Sequence, residues 1–492
     1  MDCLLAIDQG THASRAVLFD LLGRRVAAQT VPLAAACPRP GWVEQDAEDI
    51  FATAVQAARS LLDEAGEGVR VAALGIANQR ETLVVWERGS GRALHPAIVW
   101  QDRRGGDLCR ELDGPARAVR LAERTGLRLD PYFTASKLAW LLREREDLRR
   151  AAQDGRLAAG TVDSWLLFRL TGGAAFATEP SNASRTLLYD LERRQFAPDL
   201  LDLFGIPVLC LPPVAASAHA FGHTRRDLLG QALPITGVLG DQQAALLGQG
   251  CVAEGDVKDT FGTGAFALAQ TGQRPRASAN GLLTTVAWDL GSGPSYALEG
   301  SAFMAGALLD WLCDLGVARS PAELDRMAQE APEDHGVLLI PAHQGLGAPW
   351  WEPGARGAIL GLTRASDGKV LARAALEAVA QQAADLLDAM RADLGRPLGA
   401  VRIDGGLVRS AVLPQWIADL SGAVVERTLD PEATALGAAL AAGVGAGVLA
   451  PAELGRLSPA RERFEPRVDE RRRLGLREHW REAVRREGAS GR

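Results

Sequence analysis

The chain has 492 residues, of which 47% are apolar and 23% charged, and its formal net charge is −7. Because a single hydrophobic core stops growing at about 250–300 residues, this length predicts at least two domains. The negative charge argues against a nucleic-acid partner, and no uncharged apolar run reaches the ~18 residues that membrane insertion needs. The six cysteines show no C-x-x-C spacing, which gives no zinc site and predicts a reducing, cytoplasmic location.

Short strand patterns separated by turn residues run through both halves of the chain. The first half predicts strands at residues 4–7, 16–20, 25–30, 72–76, 82–86 and 98–100, with a helix at 47–65. The second half predicts strands at residues 235–239, 257–261, 266–270, 283–286 and 296–299. This alternation is typical of an α/β chain with functional loops at strand ends. We place the boundary of two related halves between residues 235 and 255 and predict domains 1–245 and 246–492.

The first strand runs into a turn that carries an acid, a glycine and a hydroxyl, namely Asp8, Gly10 and Thr11. Gly10 lets the backbone approach an anion, Thr11 adds a hydroxyl and an amide, and Asp8 can hold Mg²⁺ through its water shell. The turn therefore predicts a nucleotide phosphate site. An edge strand followed by an ordinary turn is the alternative, because the pattern is short.

The second half contains two further glycine turns after apolar segments. A Gly-Thr-Gly turn occupies residues 262–264, and the pair Gly405 and Gly406 follows an apolar segment that begins at residue 401. The first turn can hold the far side of a phosphate chain, and the second can let a flat adenine approach the backbone. A plain β-turn and a pair of helix-packing glycines are the alternatives. Three such turns together predict a nucleotide cleft between the halves.

Candidates for binding a phosphoryl acceptor also follow predicted strands. Asp241 can take the proton of an acceptor hydroxyl, although a helix N-cap is a common role for Asp. Arg80 and Glu81 can donate to and accept from the hydroxyls of a small polyol, and a surface ion pair is the alternative. Trp100 and Tyr132 can form the wall of such a pocket or belong to the core.

These segments together resemble the FGGY carbohydrate kinases, a family within the actin, hexokinase and heat-shock-chaperone ATPase fold group. The resemblance covers nearly the whole chain. It is carried by AIDQGT at 6–11, PGWVE at 40–44, NQRET at 78–82, IVWQ at 98–101, DPYF at 130–133, NASRT at 182–186, GDQQAAL at 240–246, GTG at 262–264, ALEG at 297–300 and GLGAP at 345–349. The resemblance implies an α/β, two-domain, actin/hexokinase-like (ribonuclease H-like) fold, with nucleotide and substrate in the interdomain cleft.

The resemblance also implies the composition of the site, since the matched positions are those that family members acting on glycerol use. The acceptor pocket would be lined by Arg80, Glu81, Trp100, Tyr132, Asp241, Gln242 and Phe266. Asp241 would act as the general base, and Asp8 would position Mg²⁺. ATP would be held by Thr11, His12, Ala13, Arg15, Gly262, Thr263, Gly306, Asp310, Gly406 and Ser410. The product would be sn-glycerol 3-phosphate, and the assembly a homodimer or homotetramer.

Departures from the family pattern fall on the nucleotide side. His12 and Ala13 stand where the family usually has Thr and Ser, which removes two hydroxyls and adds a titratable ring. Asp310 and Ser410 stand where Gln and Asn commonly meet the nucleotide. These departures bear on adenine preference more than on phosphoryl transfer.

One surface segment bears on regulation. Residues 222–231 lack the Gly-Gly-Lys-Gly-Gly-type loop that some relatives use for fructose 1,6-bisphosphate, and they lack the loop histidine that others have phosphorylated. We expect neither control to operate.

Three other functions stay open. A kinase for another small polyol or sugar is disfavoured by the intact residues 78–81 with Trp100 and Phe266, where sugar-specific relatives usually differ. A nucleotide-switched binding or filament protein of the same fold needs no acceptor base, and Asp241 beside Gln242 argues against it. A nucleotide-dependent noncatalytic sensor is motivated by His12, Asp310 and Ser410.

The charged C-terminal stretch predicts a helix. Leu476, Trp480 and Val484 recur at intervals of four residues, which predicts one apolar stripe packed on the body of the protein. The interspersed Glu residues favour solvated charge over a nucleic-acid-binding arm.

Overall fold

Strands and helices alternate along the chain, which the computed structural model describes from residue 1 to residue 490. The strands are, in chain order, β1 (Asp2–Gln9), β2 (Ala13–Asp20), β3 (Arg25–Pro32), β4 (Glu44–Gln45), β5 (Arg70–Asn78), β6 (Val84–Glu87), β7 (Ala97–Ile98), β8 (Leu157–Gly160), β9 (Tyr189–Asp190), β10 (Gln195–Phe196), β11 (Ala218–His223), β12 (Pro234–Gly240), β13 (Val257–Phe261), β14 (Ala265–Gly272), β15 (Leu283–Asp289), β16 (Pro294–Ala302), β17 (Leu338–Ile340), β18 (Ala358–Leu360), β19 (Val401–Asp404), β20 (Val425–Thr428) and β21 (Arg461–Phe464).

The α-helices are α1 (Ala47–Ala65), α2 (Gly106–Leu112), α3 (Pro115–Thr125), α4 (Thr134–Glu144), α5 (Glu146–Gln153), α6 (Val162–Leu170), α7 (Pro180–Ala183), α8 (Pro198–Phe204), α9 (Arg226–Leu229), α10 (Asp241–Gly248), α11 (Gly306–Asp314), α12 (Pro321–Glu330), α13 (Gly368–Leu394), α14 (Leu413–Ser421), α15 (Ala433–Gly445) and α16 (Glu470–Ser490). Short 3₁₀ turns occupy Gly66–Gly68, Val208–Cys210, Gly406–Arg409 and Pro451–Arg456. No helix within residues 1–490 has both the length and the apolar character to cross a bilayer.

Two large sheets repeat one strand plan. The first has the order β11-β12-β5-β1-β2-β3 and the second the order β15-β16-β14-β13-β19-β20-β21. Strand β1 pairs antiparallel with β2 and parallel with β5, and β13 pairs in the same way with β14 and β19. The next strands outward, β12 and β20, are also parallel to their inner neighbours. The prediction of an α/β chain with two related halves is therefore confirmed.

Helix α1 has a capping residue, and it has the apolar period from which its bounds were predicted. The side chain of Asp46 caps the helix by accepting from the Glu48 amide at 2.7 Å, and the predicted bounds at 47–65 are confirmed. Ile50, Ala54 and Leu61 recur on one buried face of the helix, as a helical period requires. The strand predicted at 98–100 is shorter than expected, because only Ala97–Ile98 pairs with β4.

The C-terminal helix α16 corrects the predicted stripe. Trp480 and Val484 are buried, but Leu476 is 42% exposed. Arg477 takes the place of Leu476 at the interface, where it pairs with Asp385 and donates to the backbone carbonyl of Gln381 at 2.9 Å. A buried arginine is tolerated at this place because carbonyl and carboxylate oxygens accept from its Nη1 and Nη2 groups.

Helix α15 joins the two halves through glycine and alanine contacts. It follows β20 of the second sheet and packs on β5, β12 and α10 of the first half. A Cβ atom on Gly437 would lie 1.8 Å from the carbonyl oxygen of Ala244, and one on Gly248 would lie 1.9 Å from that of Ala433. The backbones of α10 and α15 therefore touch. Because Asp241 begins α10, this contact helps to fix the candidate base.

We expect Gly437→Ala to destabilise the protein by about 3 kcal/mol, because the added Cβ would meet backbone atoms and overpacking costs about 1–3 kcal/mol. Gly475→Ala is the matched control, since nothing lies within 4 Å of its added Cβ in helix α16. The control should stabilise the protein by up to about 1 kcal/mol through helix propensity. Urea unfolding measures both, and a Gly437→Ala protein as stable as the wild type would contradict the contact.

Candidate active site

The turn between β1 and β2 is held by side chains from other segments. The amide of Gly10 donates to the carbonyl of Ala13 at 3.0 Å. The Thr11 hydroxyl accepts from Trp100 Nε1 at 2.9 Å, and the Thr11 carbonyl accepts from Gln45 Nε2 at 2.6 Å. The turn that was predicted to bind phosphate is thus fixed in place before any ligand arrives.

Asp241 lies where β12 ends and α10 begins. Gly240 occupies the N-cap position, and Asp241 is the first residue of the helix. Its Oδ1 accepts from the amide of Gln242 at 2.7 Å and lies 3.3 Å from Nε of Arg80. The Asp241 carboxylate is thus held by the backbone amide of Gln242 and by the Nε group of Arg80.

Two carboxylates in the cleft influence each other. Burial, together with the nearby charge of Asp241, raises the pKa of Asp8 to about 7, although Arg15 opposes the shift. Burial also raises the pKa of Asp241, against the lowering effect of Arg80. In residues 1–490 no three His, Cys, Asp or Glu side chains form a metal cluster. One or two carboxylates completed by substrate phosphates are nevertheless the usual Mg²⁺ site of kinases, and these oxygens fit that chemistry.

A buried ion network lies beneath Asp241. Arg80 donates to Glu299 through Nη1 at 2.6 Å and Nη2 at 3.0 Å. Arg185 bridges the same carboxylate at 3.2 Å and donates to Glu81 at 2.5 Å. All four side chains are almost fully buried. Glu81 also has a positive φ of 60°, a conformation rare for non-glycine residues and one that costs about 1–3 kcal/mol. The predicted alternative of a surface ion pair for Arg80 and Glu81 is therefore wrong.

Three aromatic side chains form one side of the pocket. The ring of Trp100 lies edge-on to Tyr132 at 5.8 Å and to Phe266 at 6.4 Å between centroids. Edge-to-face packing holds such rings without polar contacts. The rings therefore form an apolar wall that adjoins the charged network, since the Arg185 guanidinium lies 5.6 Å from the centroid of the Tyr132 ring.

The Gly-Thr-Gly turn of the second half meets two other glycines. The Gly306 amide donates to the carbonyl of Gly262 at 2.9 Å, and a Cβ on Gly306 would lie 2.7 Å from that oxygen. The amide of Ala307 donates to the carbonyl of Thr263 at 3.1 Å. Gly405 has a φ of 95°, and a Cβ there would lie 2.3 Å from the carbonyl oxygen of Phe261. The structure thus brings the predicted turns at Gly262, Gly306 and Gly405 together.

A pocket opens beside this cluster. Its volume is about 330 Å³, and it is lined by Gly405, Val408, Arg409, Arg427, Thr428, Leu429 and Pro431. Gly406 begins the 3₁₀ turn at the same place. The second half therefore offers a cavity with two arginines next to the glycine turns.

Ser410 uses its hydroxyl within the fold. The hydroxyl donates to Asp325 and accepts from the amide of Leu413 at 3.0 Å, at the start of α14. The side chain is 8% exposed. Sequence patterns did not predict these contacts, which engage the Ser410 hydroxyl with protein atoms.

The other predicted nucleotide residues lie around the β1–β2 turn or on α11. His12 is exposed, and Ala13 is partly exposed at the start of β2. Arg15 pairs with Glu432 at 3.1 Å, next to the N-terminus of α15. Asp310 is exposed on α11, and no hydrogen bond to another described residue engages its carboxylate. Arg15 is therefore tied to the second half, whereas Asp310 faces solvent.

Comparison with known proteins follows the same division into halves. Residues 3–248 match the N-terminal domain of the FGGY family of carbohydrate kinases, and residues 258–446 match its C-terminal domain. The chain belongs to the FGGY family of carbohydrate kinases. The FGGY resemblance that the sequence motifs carried is confirmed.

Similar FGGY proteins match over the full length. The chain is 49% identical over 489 residues to a glycerol kinase of Rhodospirillum rubrum, with 99% of each chain covered. It is 50% identical over 487 residues to a glycerol kinase of Thermus brockianus, with 99% of this chain and 98% of the relative covered. A crystal structure of Plasmodium falciparum glycerol kinase with ADP is 31% identical, with a TM-score of 0.93, and covers 99% and 98% of the two chains. The predicted α/β, two-domain, actin/hexokinase-like fold is thereby confirmed.

Sequence reasoning assigned no role to three buried residues of this FGGY site. Arg185 and Glu299 lie in the matched segments 182–186 and 297–300, but their partners are distant in the chain. Lys258 lies in none of the matched segments, yet it is fully buried in β13. One signal was available, since Lys258 is a lysine within an apolar strand and the chain has only two others, Lys137 and Lys369.

We expect Asp8→Asn to stabilise the metal-free FGGY protein by about 1 kcal/mol or more at pH 8, and by less at pH 5. An unfolded Asp ionises near pH 4, whereas the folded carboxyl of Asp8 ionises at about pH 7. The folded protein therefore loses stability as the pH rises through this window, and asparagine escapes the loss. Chemical unfolding with a chelator present measures the difference. The same gain at both pH values would contradict the raised pKa, and Asp202→Asn on the surface is the control.

Proposed function

We propose that this FGGY kinase transfers the γ-phosphoryl group of ATP to glycerol and releases sn-glycerol 3-phosphate and ADP. The observation that carries the proposal is the full-length similarity to proteins named glycerol kinase. The geometry of the pocket supports it, because one carboxylate, one arginine and an aromatic wall are arranged around a small space.

The pocket suits a small polyol. Arg80 can donate to a substrate hydroxyl, and Asp241 and Glu81 can accept from hydroxyls. Trp100 and Phe266 can cover the carbon edge, since ligand pockets combine apolar walls with few polar groups.

Asp241 would act as the general base. In the transfer step a substrate hydroxyl gives its proton to the Asp241 carboxylate while its oxygen bonds to the γ-phosphorus. The bond between the γ-phosphorus and the bridging oxygen breaks, and ADP leaves. Burial raises the pKa of Asp241 and so makes it a better proton acceptor, while Arg80 opposes the shift and favours the ionised form.

The two glycine turns would hold the nucleotide from both sides. Thr11 and Arg15 of the first half, with Gly262 and Thr263 of the second, can donate to phosphate oxygens. The start of α11 at Gly306 adds the positive end of a helix dipole beside this turn. Adenosine would lie near Gly406.

Mg²⁺ would be positioned by Asp8. The bound ion would neutralise charge on the phosphates of ATP. Burial raises the pKa of Asp8 to about 7, and the nearby charge of Asp241 adds to the shift. Asp8 would therefore gain a favourable partner when the metal nucleotide binds.

Four nucleotide positions depart from the family pattern, and they would alter how the nucleotide is bound. His12 adds a ring beside the phosphate turn, and the exposed Asp310 adds a carboxylate to α11. The hydroxyl of Ser410 is engaged with Asp325, so its contact with adenine would be weak. Ala13 offers only backbone atoms to the phosphates.

We expect Asp241→Asn to fold normally and to lose turnover by about 10²–10⁴-fold, the contribution of a general base. A coupled assay of ADP release with Mg²⁺, ATP and glycerol measures the rate. Asp202→Asn, an exposed position on α8, is the matched control and should keep the wild-type rate. A wild-type kcat in Asp241→Asn would remove the base from this residue.

We expect glycerol to be turned over faster than dihydroxyacetone, glyceraldehyde, erythritol or xylulose, because the residues that the family uses for glycerol are all present and Arg80 is held by the buried Glu299. The same coupled assay compares kcat/KM for each acceptor. Preference for xylulose or erythritol would point to an FGGY kinase for another polyol or sugar. No turnover with any acceptor or nucleotide would favour a noncatalytic sensor.

A further inference from the structure

Lys258 connects the two sides of the acceptor pocket. It lies in the middle of β13 and is fully buried. Its Nζ donates to Oε1 of Gln242, to Oγ1 of Thr260 at 3.0 Å and to the carbonyl of Phe266 at 3.2 Å. Gln242 and Phe266 are both predicted to contact the substrate. All three protons of the ammonium group therefore serve residues at the edge of the pocket.

The chemistry of this contact fixes the orientation of the Gln242 amide. A lysine ammonium group has three donors and no acceptor, so the atom of Gln242 that meets Lys258 must be the carbonyl oxygen. The NH₂ group then lies at the other end of the amide. Within residues 1–490 this NH₂ group has no hydrogen-bond partner, and the side chain of Gln242 is only partly buried.

Charged groups of both signs surround Lys258. Burial lowers the pKa of the Lys258 ammonium and Arg80 adds to that shift, whereas the carboxylates of Asp404, Asp259 and Asp241 oppose it. In its ammonium form Lys258 makes a stronger hydrogen bond than a neutral donor would. Its contacts with Gln242, Thr260 and Phe266 use all three of its donors.

We propose that Lys258 is a positioning residue, which turns the Gln242 amide so that its NH₂ group donates to an oxygen of the phosphoryl acceptor. This inference rests on the proposed function, because it assumes that glycerol binds beside Asp241. Lys258 itself touches no substrate. By fixing the Gln242 amide, Lys258 makes the pocket favour a substrate oxygen next to the NH₂ group. A substrate group that can only donate a hydrogen bond would be disfavoured there.

A double-mutant cycle tests the link. We expect Lys258→Met and Gln242→Leu each to raise the KM for glycerol about tenfold, while kcat changes less than about threefold. The double variant should raise KM no more than about twofold beyond the larger single effect, because both changes remove one interaction. Lys369→Met, on the surface, is the matched control and should leave KM unchanged. Effects that multiply to about a hundredfold would overturn the inference.

Gln242→Glu provides a second variant in case Lys258→Met does not fold. A glutamate can still accept from Lys258, so the melting temperature should stay near that of the wild type. The carboxylate has no NH₂ group, however, and the KM for glycerol should rise at least about tenfold. An unchanged KM in Gln242→Glu would overturn the inference.

The wild-type assay separates this inference from the proposed function. Wild-type turnover of glycerol with multiplicative effects in the cycle would overturn only the role of Lys258. No wild-type turnover of glycerol would overturn the proposed acceptor, and the inference with it.

Discussion

The buried pair between Arg80 and Glu299 is the contact on which the arrangement of the site depends. Arg80 follows β5 of the first sheet, and Glu299 belongs to β16 of the second, 219 residues along the chain. Breaking a buried ion pair by removing one partner typically costs about 3–5 kcal/mol, because the other charge is left without compensation. The same guanidinium reaches Asp241 through Nε. The pair therefore holds the two halves together where the acceptor would bind.

The repeated sheet explains why the site lies where it does. In each half the central strand leads into a glycine turn and pairs with a parallel strand, so equivalent turns occur at Thr11 and Thr263. The parallel neighbours β5 and β19 end at Asn78 and Asp404, next to residues of the pocket or the nucleotide side. Helix α15 then brings the halves into backbone contact through Gly437. The two sheets share one strand order around their central strands, and helix α15 packs the two halves together. The cleft between the halves therefore has a glycine turn on each side.

Local patterns allowed the sequence to predict the strands, helix α1 and the glycine turns, because burial and turn chemistry depend on neighbours in the chain. Contacts between distant residues could not be predicted in this way. The hydroxyl of Ser410 is engaged by Asp325, 85 residues away, and Leu476 is exposed because Arg477 finds Asp385 on another helix. Which of two neighbouring residues faces the core depends on a partner that periodicity does not reveal. The roles of individual site residues stay predictions for the same reason.

The two acids beside Arg80 differ in what surrounds them, and this difference fits the proposed role of Asp241 as the base. Burial alone would raise the pKa of Glu299, but Arg185 and Arg80 outweigh it and lower the pKa to about 2. Asp241 meets only one edge of Arg80, and burial leaves its pKa raised. Glu299 thus stays ionised as a permanent counterion at any physiological pH. The raised pKa of Asp241 fits the proposed role of a carboxylate that gains and loses a proton, because Arg80 opposes the effect of burial there without outweighing it.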